Sequence, residues 1–115
     1  MDRISVDELV SMIDGGATPV TLDVRSGEAR LRDGIIPGVI GAHPEDLEGV
    51  LALLAHGAEV VVYCACPNEA SAATAARHLR RAGFRKIRPL LGGIDAWTKA
   101  GLPIQFARPD PANRP

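Results

Sequence analysis

One run of apolar residues in the middle of the chain restricts the fold more than any other feature. It reads Glu59-Val60-Val61-Val62-Tyr63-Cys64, and polar and apolar residues do not alternate along it. Such a run predicts a strand that is buried on both faces, as in parallel sheets covered by helices. A short loop follows, and an alanine-rich stretch, Ser71 to Ala82, is typical of a helix. The order of strand, loop and helix predicts an α/β domain.

Other helices and strands are predicted on both sides of this run. Ser5 and Glu8 have the spacing of a capping box, and apolar residues continue at helical spacing to Ile13. Pro89 argues against a central position for the last strand. The remaining predicted elements are strands at 19–24, 39–42 and 87–91, a charged helix or turn at 28–33, and helices at 44–56 and 94–97. We expect one domain over residues 1–106 and a disordered, proline-rich tail over 107–115.

Composition and charge exclude several classes of protein. The formal net charge is −1 and aromatic residues make up 3%, so neither a basic footprint nor a stacking platform for nucleic acid is present. No apolar run is long enough to span a bilayer, and the first residues form no apolar signal region. We therefore expect a cytoplasmic protein. The histidines His43, His56 and His78 have no ligand spacing, so neither a metal nor a cofactor is expected.

Cys64 is the candidate nucleophile. A strand that leads through a tight loop into a helix directs backbone N–H groups and the positive end of the helix dipole at one point. A thiol at that point ionises more easily, and the thiolate is the reactive form. Ligands of parallel sheets bind at the carboxyl ends of strands, where Cys64 and the segment 23–25 both lie. The alternative is a buried strand-end cysteine that only packs.

Four segments, in order, resemble the rhodanese-like domain from about Ile4 to Ile104. They are Leu22-Asp23-Val24-Arg25; Gly34-Ile35-Ile36-Pro37-Gly38, in which Ile35 replaces the usual histidine; Val62-Tyr63-Cys64; and Leu91-Gly92-Gly93-Ile94-Asp95-Ala96-Trp97 with Ala100-Gly101-Leu102-Pro103. The resemblance implies an α/β fold with a five-stranded, mainly parallel sheet and helices on both faces. It also implies a sulfurtransferase in which Cys64 carries a persulfide from a small sulfur donor to a thiol acceptor, which can be a protein thiol.

The loop after Cys64 departs from the family pattern. It forms the expected anion-binding cradle, made of Ala65, Cys66, Pro67, Asn68, Glu69, Ala70 and Ser71. No cation stands in this loop, and Glu69 or Ala70, depending on the register, falls where an arginine is usual. We therefore expect weak turnover of the dianion thiosulfate, unless Arg25, Arg30 or Arg32 supplies charge from another loop. Cys66 is either a resolving thiol or a small packed residue.

Two other functions are alternatives to a sulfurtransferase. A cysteine phosphatase needs an arginine six residues after the nucleophile, and Ala70 stands there, so this class is rejected. A non-catalytic module that binds a partner or senses redox state remains the alternative. The loop is also similar to that of rhodanese domains fused to DedA-type membrane proteins, which would place relatives beside a membrane. Arg25 is expected to pair with a nearby carboxylate rather than to bind substrate.

Overall fold

The computed structural model describes residues 3–43, 47–65 and 70–106. In chain order its helices and strands are α1 (Val6–Asp14), β1 (Val20–Asp23), α2 (Gly27–Asp33), β2 (Ile40–Gly41), α3 (Leu47–Leu51), β3 (Glu59–Tyr63), α4 (Ala70–Arg81), β4 (Lys86–Pro89) and α5 (Gly93–Lys99). The apolar run is β3, with the bounds that the sequence predicts. The alanine-rich stretch is α4, which begins and ends one residue earlier than expected. The tail at 107–115 lies outside the described residues.

The strands form one parallel sheet in the order β2-β1-β3-β4. Five strands were expected, and the described residues contain four. Beyond β4, Ile4 alone takes the fifth position in a parallel bridge to Leu90. Its N–H donates to the carbonyl of Pro89 at 2.9 Å, and Leu91 donates to its carbonyl at 2.8 Å. The fifth strand is this short because Ser5 caps α1 directly afterwards, so the chain leaves the sheet.

Pro89 is tolerated in β4 because the side of the strand that its nitrogen faces carries only the one-residue bridge of Ile4. Its carbonyl points towards Ile4, so its nitrogen points the same way and away from β3. The N–H of Leu90, which points the other way, donates to Val62 of β3 at 2.8 Å. The ladder between β3 and β4 therefore loses no hydrogen bond to the proline, as expected for a strand near the sheet edge.

Helices cover both faces of the sheet, as predicted. On one face Val60, Val62 and Cys64 pack with Leu47 and Val50 of α3 and with Ala72, Ala75, Ala76 and Leu79 of α4. On the other face Val61 and Tyr63 pack with Val6 and Leu9 of α1 and with Ile94 and Trp97 of α5. Successive residues of a strand point to opposite faces, so β3 is buried on both sides. This explains why its sequence does not alternate.

The helix ends follow local hydrogen bonding. The capping box of α1 is confirmed, since Glu8 donates to Ser5 Oγ and Ser5 donates to Glu8 Oε1, each at 3.1 Å. The prediction for the helix at 44–56 was too long, because α3 ends at Leu51 and the chain then turns through i to i−3 bonds. Its expected start at Pro44 lies outside the described residues. No helix within 3–43, 47–65 and 70–106 is both long and apolar enough to span a bilayer.

Candidate active site

Cys64 follows directly on β3, at the carboxyl end of the strand. The neighbouring strand β1 ends beside it, because Asp23 stands opposite Tyr63 in the register and Val24 donates to the carbonyl of Tyr63 at 3.1 Å. The prediction that Cys64 and residues 23–25 share one edge of the sheet is confirmed. The cysteine is 1% exposed and packs in the same cluster as Ala72 and Ala76 of α4.

The start of α5 fixes the backbone of Cys64. The N–H of Ile94 donates to the Cys64 carbonyl at 3.2 Å. Gly93 has a φ of +57°, and a Cβ atom at this position would overlap the carbonyl oxygen of Cys64. A side chain is therefore excluded both by the backbone conformation and by the approach of the two segments. Gly93 therefore serves a turn and close packing.

Arg25 is held in a buried network on the Tyr63 face of the sheet. Its Nη2 atom donates to Asp23 Oδ2 at 2.7 Å and to the carbonyl of Gly34 at 2.6 Å, and Nε donates to both Asp23 oxygens. The guanidinium carbon lies 5.6 Å from the centre of the Tyr63 ring. Burial alone would lower the pKa of Arg25, but the hydrogen bonds and charge of Asp23 raise it above its usual value. The expected pairing with a carboxylate is present.

This network joins three of the four segments that carry the family resemblance. Arg25 connects the Asp-x-Arg segment to Gly34 at the start of the second segment. Tyr63, from the third, accepts a hydrogen bond on Oη from the N–H of Ile36 at 3.2 Å. Burial and the nearby Asp23 raise the pKa of Tyr63 far above its ordinary value, although the bond from Ile36 and the charge of Arg25 act in the opposite direction. The fourth segment reaches Cys64 through Gly93 and Ile94, so all four meet around the end of β3.

Two pockets lie beside the described ends of the loop after Cys64. The first, of about 450 Å³ between α3 and α4, is mainly apolar and is lined by Ala42, Leu47, Glu48, Ala70, Ser71, Thr74, Ala75 and His78. The second, of about 320 Å³, is lined by Asp33, Ala65, Ile94, Asp95, Thr98 and Lys99. We call it the acidic pocket, since two carboxylates face one ammonium group. A dianion gains little from either lining.

The three arginines considered as outside sources of charge are each engaged elsewhere. Arg25 is paired with Asp23, as described. Arg32 donates from Nε and Nη2 to the carboxylate of Asp33, which lowers the pKa of that carboxyl group. The guanidinium of Arg30 packs over Gly41, where a side chain would overlap it. Lys99 is the cation that the sequence analysis missed, because only the docking of α5 brings it near Ala65.

The structure places the predicted cradle residues only in part. Ala65 is exposed next to Cys64, and Ala70 and Ser71 form the exposed start of α4. Cys66, Pro67, Asn68 and Glu69 lie outside the described residues, so the cradle stays a prediction. No group of three or more metal-ligating side chains is found within 3–43, 47–65 and 70–106. The hydrogen bond from the Ile94 N–H to the Cys64 carbonyl was not predicted. The Gly92-Gly93 pair is the sequence signal for such a close approach of two backbone segments.

Comparison with known proteins agrees with this arrangement. The sequence matches the rhodanese-like domain over residues 5–100. The rhodanese-like domain of the Alr3790 protein from Anabaena superposes with a TM-score of 0.80 at 28% identity, covering 100% of this chain and 88% of that chain. A rhodanese-related protein from Thermoplasma volcanium gives a TM-score of 0.76 at 25% identity, covering 93% of this chain and 100% of that chain.

A third similar structure has a printed activity. It is the polysulfide-sulfur transferase homodimer of Wolinella succinogenes, with a TM-score of 0.74 at 25% identity, covering 99% of this chain and 85% of that chain. No curated protein matches the sequence. The family match spans most of the chain and includes the strand that ends at Cys64. The chain therefore belongs to the rhodanese-like domain family.

Proposed function

We propose that the protein is a sulfurtransferase that carries a sulfane sulfur as a persulfide on Cys64. The observation that supports this most is the position of Cys64 in a rhodanese-like fold, at the carboxyl end of β3 and shortly before the N-terminus of α4. Ligands of parallel sheets bind at this edge. The sulfur transferase from Wolinella succinogenes shares the fold, which supports the reaction class.

The chemistry needs no cofactor. The Cys64 thiolate attacks the outer sulfur of a donor, a new S–S bond forms, and the donor's own S–S bond breaks. From thiosulfate the leaving group is sulfite, and from an alkyl persulfide it is the alkyl thiolate. The enzyme persulfide then gives its outer sulfur to an attacking acceptor thiolate, which leaves as a persulfide while Cys64 returns as a thiolate. The described residues contribute a fixed cysteine backbone, held by Ile94 and Gly93.

The surroundings of Cys64 favour a donor of lower charge than thiosulfate. The acidic pocket beside Ala65 contains Asp95, the cation Lys99, and Asp33, which is paired with Arg32. Arg25 is occupied by Asp23. The pocket between α3 and α4 is apolar. A dianion is repelled by the Asp95 carboxylate on one side and loses its hydration in the apolar pocket on the other. An alkyl persulfide or a protein-bound persulfide carries less charge, and we propose this class as the donor.

The second candidate function is a non-catalytic module that binds a partner or senses redox state. The 1% exposure of Cys64 favours it, because a thiol enclosed by the core reacts slowly. The two functions differ in one observable. The enzyme forms a persulfide on Cys64 and passes it on, whereas the module keeps an inert thiol in the folded state.

The test is the intact mass of the reduced protein after exposure to glutathione persulfide and, separately, to thiosulfate. The Cys64→Ser and Cys66→Ser variants are treated in parallel, and Cys66→Ser is the matched control for loss of one thiol. We expect one added sulfur in the parent protein and in Cys66→Ser, lost on treatment with cyanide and absent in Cys64→Ser. No added sulfur from either donor would reject the enzyme and leave the module.

The donor preference is tested separately through Asp95. Asp95→Asn removes one carboxylate from the acidic pocket and is expected to raise kcat/KM for thiosulfate roughly 2- to 5-fold, with a smaller change for an alkyl persulfide that has no carboxylate. Asp14→Asn, at the end of α1, is the control for a change in net charge. Equal gains from the two variants, or an equal gain with both donors, would contradict a local repulsion by the acidic pocket.

A further inference from the structure

A group of cations surrounds a pocket away from Cys64. The pocket measures about 360 Å³ and lies where β3 and β4 begin. Its lining consists of the cations Arg80, Arg85, Lys86 and Arg88, one carboxylate, Glu59, and the strand residues Val60, Val61 and Ile87. We call it the basic pocket. Four cations and one carboxylate give it a net charge of +3, whereas the whole chain has −1.

Most of these cations have no ion-pair partner in the part of the chain that the structure describes. Among the described residues, no carboxylate lies within 4.0 Å of Arg80, Arg85 or Lys86, although Glu59 stands opposite Lys86 in the register of β3 and β4. Arg25 and Arg32, by contrast, both contact carboxylates. Unpaired cations gathered at one concave surface repel one another, and a bound anion relieves that repulsion.

The fourth cation has a fixed orientation. Arg88 is half-buried on β4, and its Nη2 atom donates to Met12 Sδ at 3.3 Å. This contact anchors the guanidinium to α1, where Asp7 and Glu8 line a second pocket with it and Glu8 interacts with its charge. Within the described part of the chain no carboxylate lies within 4.0 Å of Arg88. The basic pocket thus combines one positioned guanidinium with three long, exposed side chains, Arg80, Arg85 and Lys86.

We propose that the basic pocket docks an acidic segment of a partner protein, rich in aspartate or glutamate. A concave site of this volume holds a few carboxylates at once, and bidentate arginine–carboxylate bonds suit it. Nucleic acid fits less well, because the rest of the chain is net negative and would repel a continuous polyanion, and aromatic residues for base stacking are scarce. A partner protein can instead place its negative charge at the pocket alone.

The position of the basic pocket separates docking from the proposed chemistry. Glu59 and Lys86 begin their strands, whereas Cys64 follows the end of β3, so the two sites lie at opposite ends of the same strand. A partner bound at the basic pocket leaves the Cys64 edge open to a second molecule. The proposal therefore does not depend on the sulfur-transfer reaction.

The experiment is an NMR titration of the isotope-labelled full chain with an eight-residue peptide of alternating glutamate and glycine. It is carried out at about 20 mM and about 200 mM salt, because exposed charges are screened at the higher value. We expect amide shifts concentrated at residues 80–88 and weaker binding in high salt. Arg85→Glu and Lys86→Glu should each weaken binding roughly 3- to 10-fold. Arg77→Glu, an exposed residue of α4 outside the basic pocket, is the matched control.

Each alternative outcome would overturn the proposal. Equal loss in Arg77→Glu would mean that net charge, not the basic pocket, attracts the peptide. Absence of binding at low salt, or shifts located away from residues 80–88, would reject the docking surface. An eight-nucleotide single strand that binds more tightly than the peptide, through the same residues, would identify nucleic acid as the partner class instead.

Discussion

Tyr63→Phe separates the hydrogen bonding of one buried hydroxyl from the packing of its ring. The substitution keeps the ring and removes the hydroxyl that accepts from the N–H of Ile36 at 3.2 Å. Because the surroundings are buried, the N–H is left without a partner, and a buried unsatisfied donor costs about 1–3 kcal/mol. No ring atom is lost, so no cavity adds to this cost. We expect the free energy of unfolding to fall by that amount at neutral pH, measured by denaturant unfolding with an unchanged m-value.

The same residue gives stability a dependence on pH. The pKa of Tyr63 is raised in the folded state, so above about pH 10 the unfolded chain loses the tyrosine proton first. The unfolded state then binds fewer protons, and stability falls as pH rises above that value. In the Tyr63→Phe variant this contribution to the fall in stability at high pH should be absent. Tyr63 is the single tyrosine of the chain, so the tyrosinate absorbance of the folded protein reports its titration directly.

Two results would refute this reasoning. A destabilisation below about 0.5 kcal/mol, the usual range for exposed substitutions, would mean that the N–H of Ile36 finds another partner or that the hydroxyl is not needed. Tyrosinate absorbance that rises near pH 10 in the folded protein would mean that the ring is accessible and its pKa ordinary. Faster amide exchange at Ile36 in the variant would locate the loss at the expected bond.

Three further predictions concern the segments around β3. Arg25→Met should cost about 3–5 kcal/mol in unfolding free energy, since it leaves the Asp23 carboxylate buried and unpaired, and adding Asp23→Asn should recover part of the loss; strictly additive losses would contradict the pairing. Gly93→Ala should destabilise the fold by more than the ~1–2 kcal/mol of a left-handed residue, because its Cβ overlaps the Cys64 carbonyl, whereas a thermal shift within error would show that α5 does not pack so closely. Ser5→Ala should cost about 1 kcal/mol through loss of the α1 cap, and a neutral effect on unfolding would count against the capping box.

The sequence predicts most of the fold where a local pattern decides it. The bounds of β3 follow from a run without alternation, and the α1 cap follows from the Ser5–Glu8 spacing. The predicted length of α3 was wrong, because the spacing of apolar residues does not show that the helix ends at Leu51 and gives way to turns. The single-residue fifth strand at Ile4 was not predicted either, since pairing with Leu90 is set by how the chain crosses the sheet.

The candidate site is harder to predict from the sequence than the fold, because its contacts join segments that are distant along the chain. The Asp23–Arg25 pair is two residues apart and could be expected from the sequence. The hydrogen bond from Arg25 to Gly34, the bond from Ile36 to Tyr63 and the arrival of Lys99 beside Ala65 all depend on tertiary packing. Whether Glu69 faces the cradle, and what Cys66 does, lie outside the described residues and stay hypotheses.

The pleat of β3 divides structural support from the proposed chemistry. Tyr63 points to the face where Arg25, Gly34 and Ile36 are bound together, and Cys64, one residue later, packs against α4 on the other face. The Asp-x-Arg segment and the glycine-rich loop that mark the family therefore contact each other within this network. Variants in that network should change stability while the thiol keeps its place, whereas changes at Asp95 or in the loop should change donor preference with little effect on unfolding. This division lets a loss of sulfur transfer be traced either to the fold or to the site.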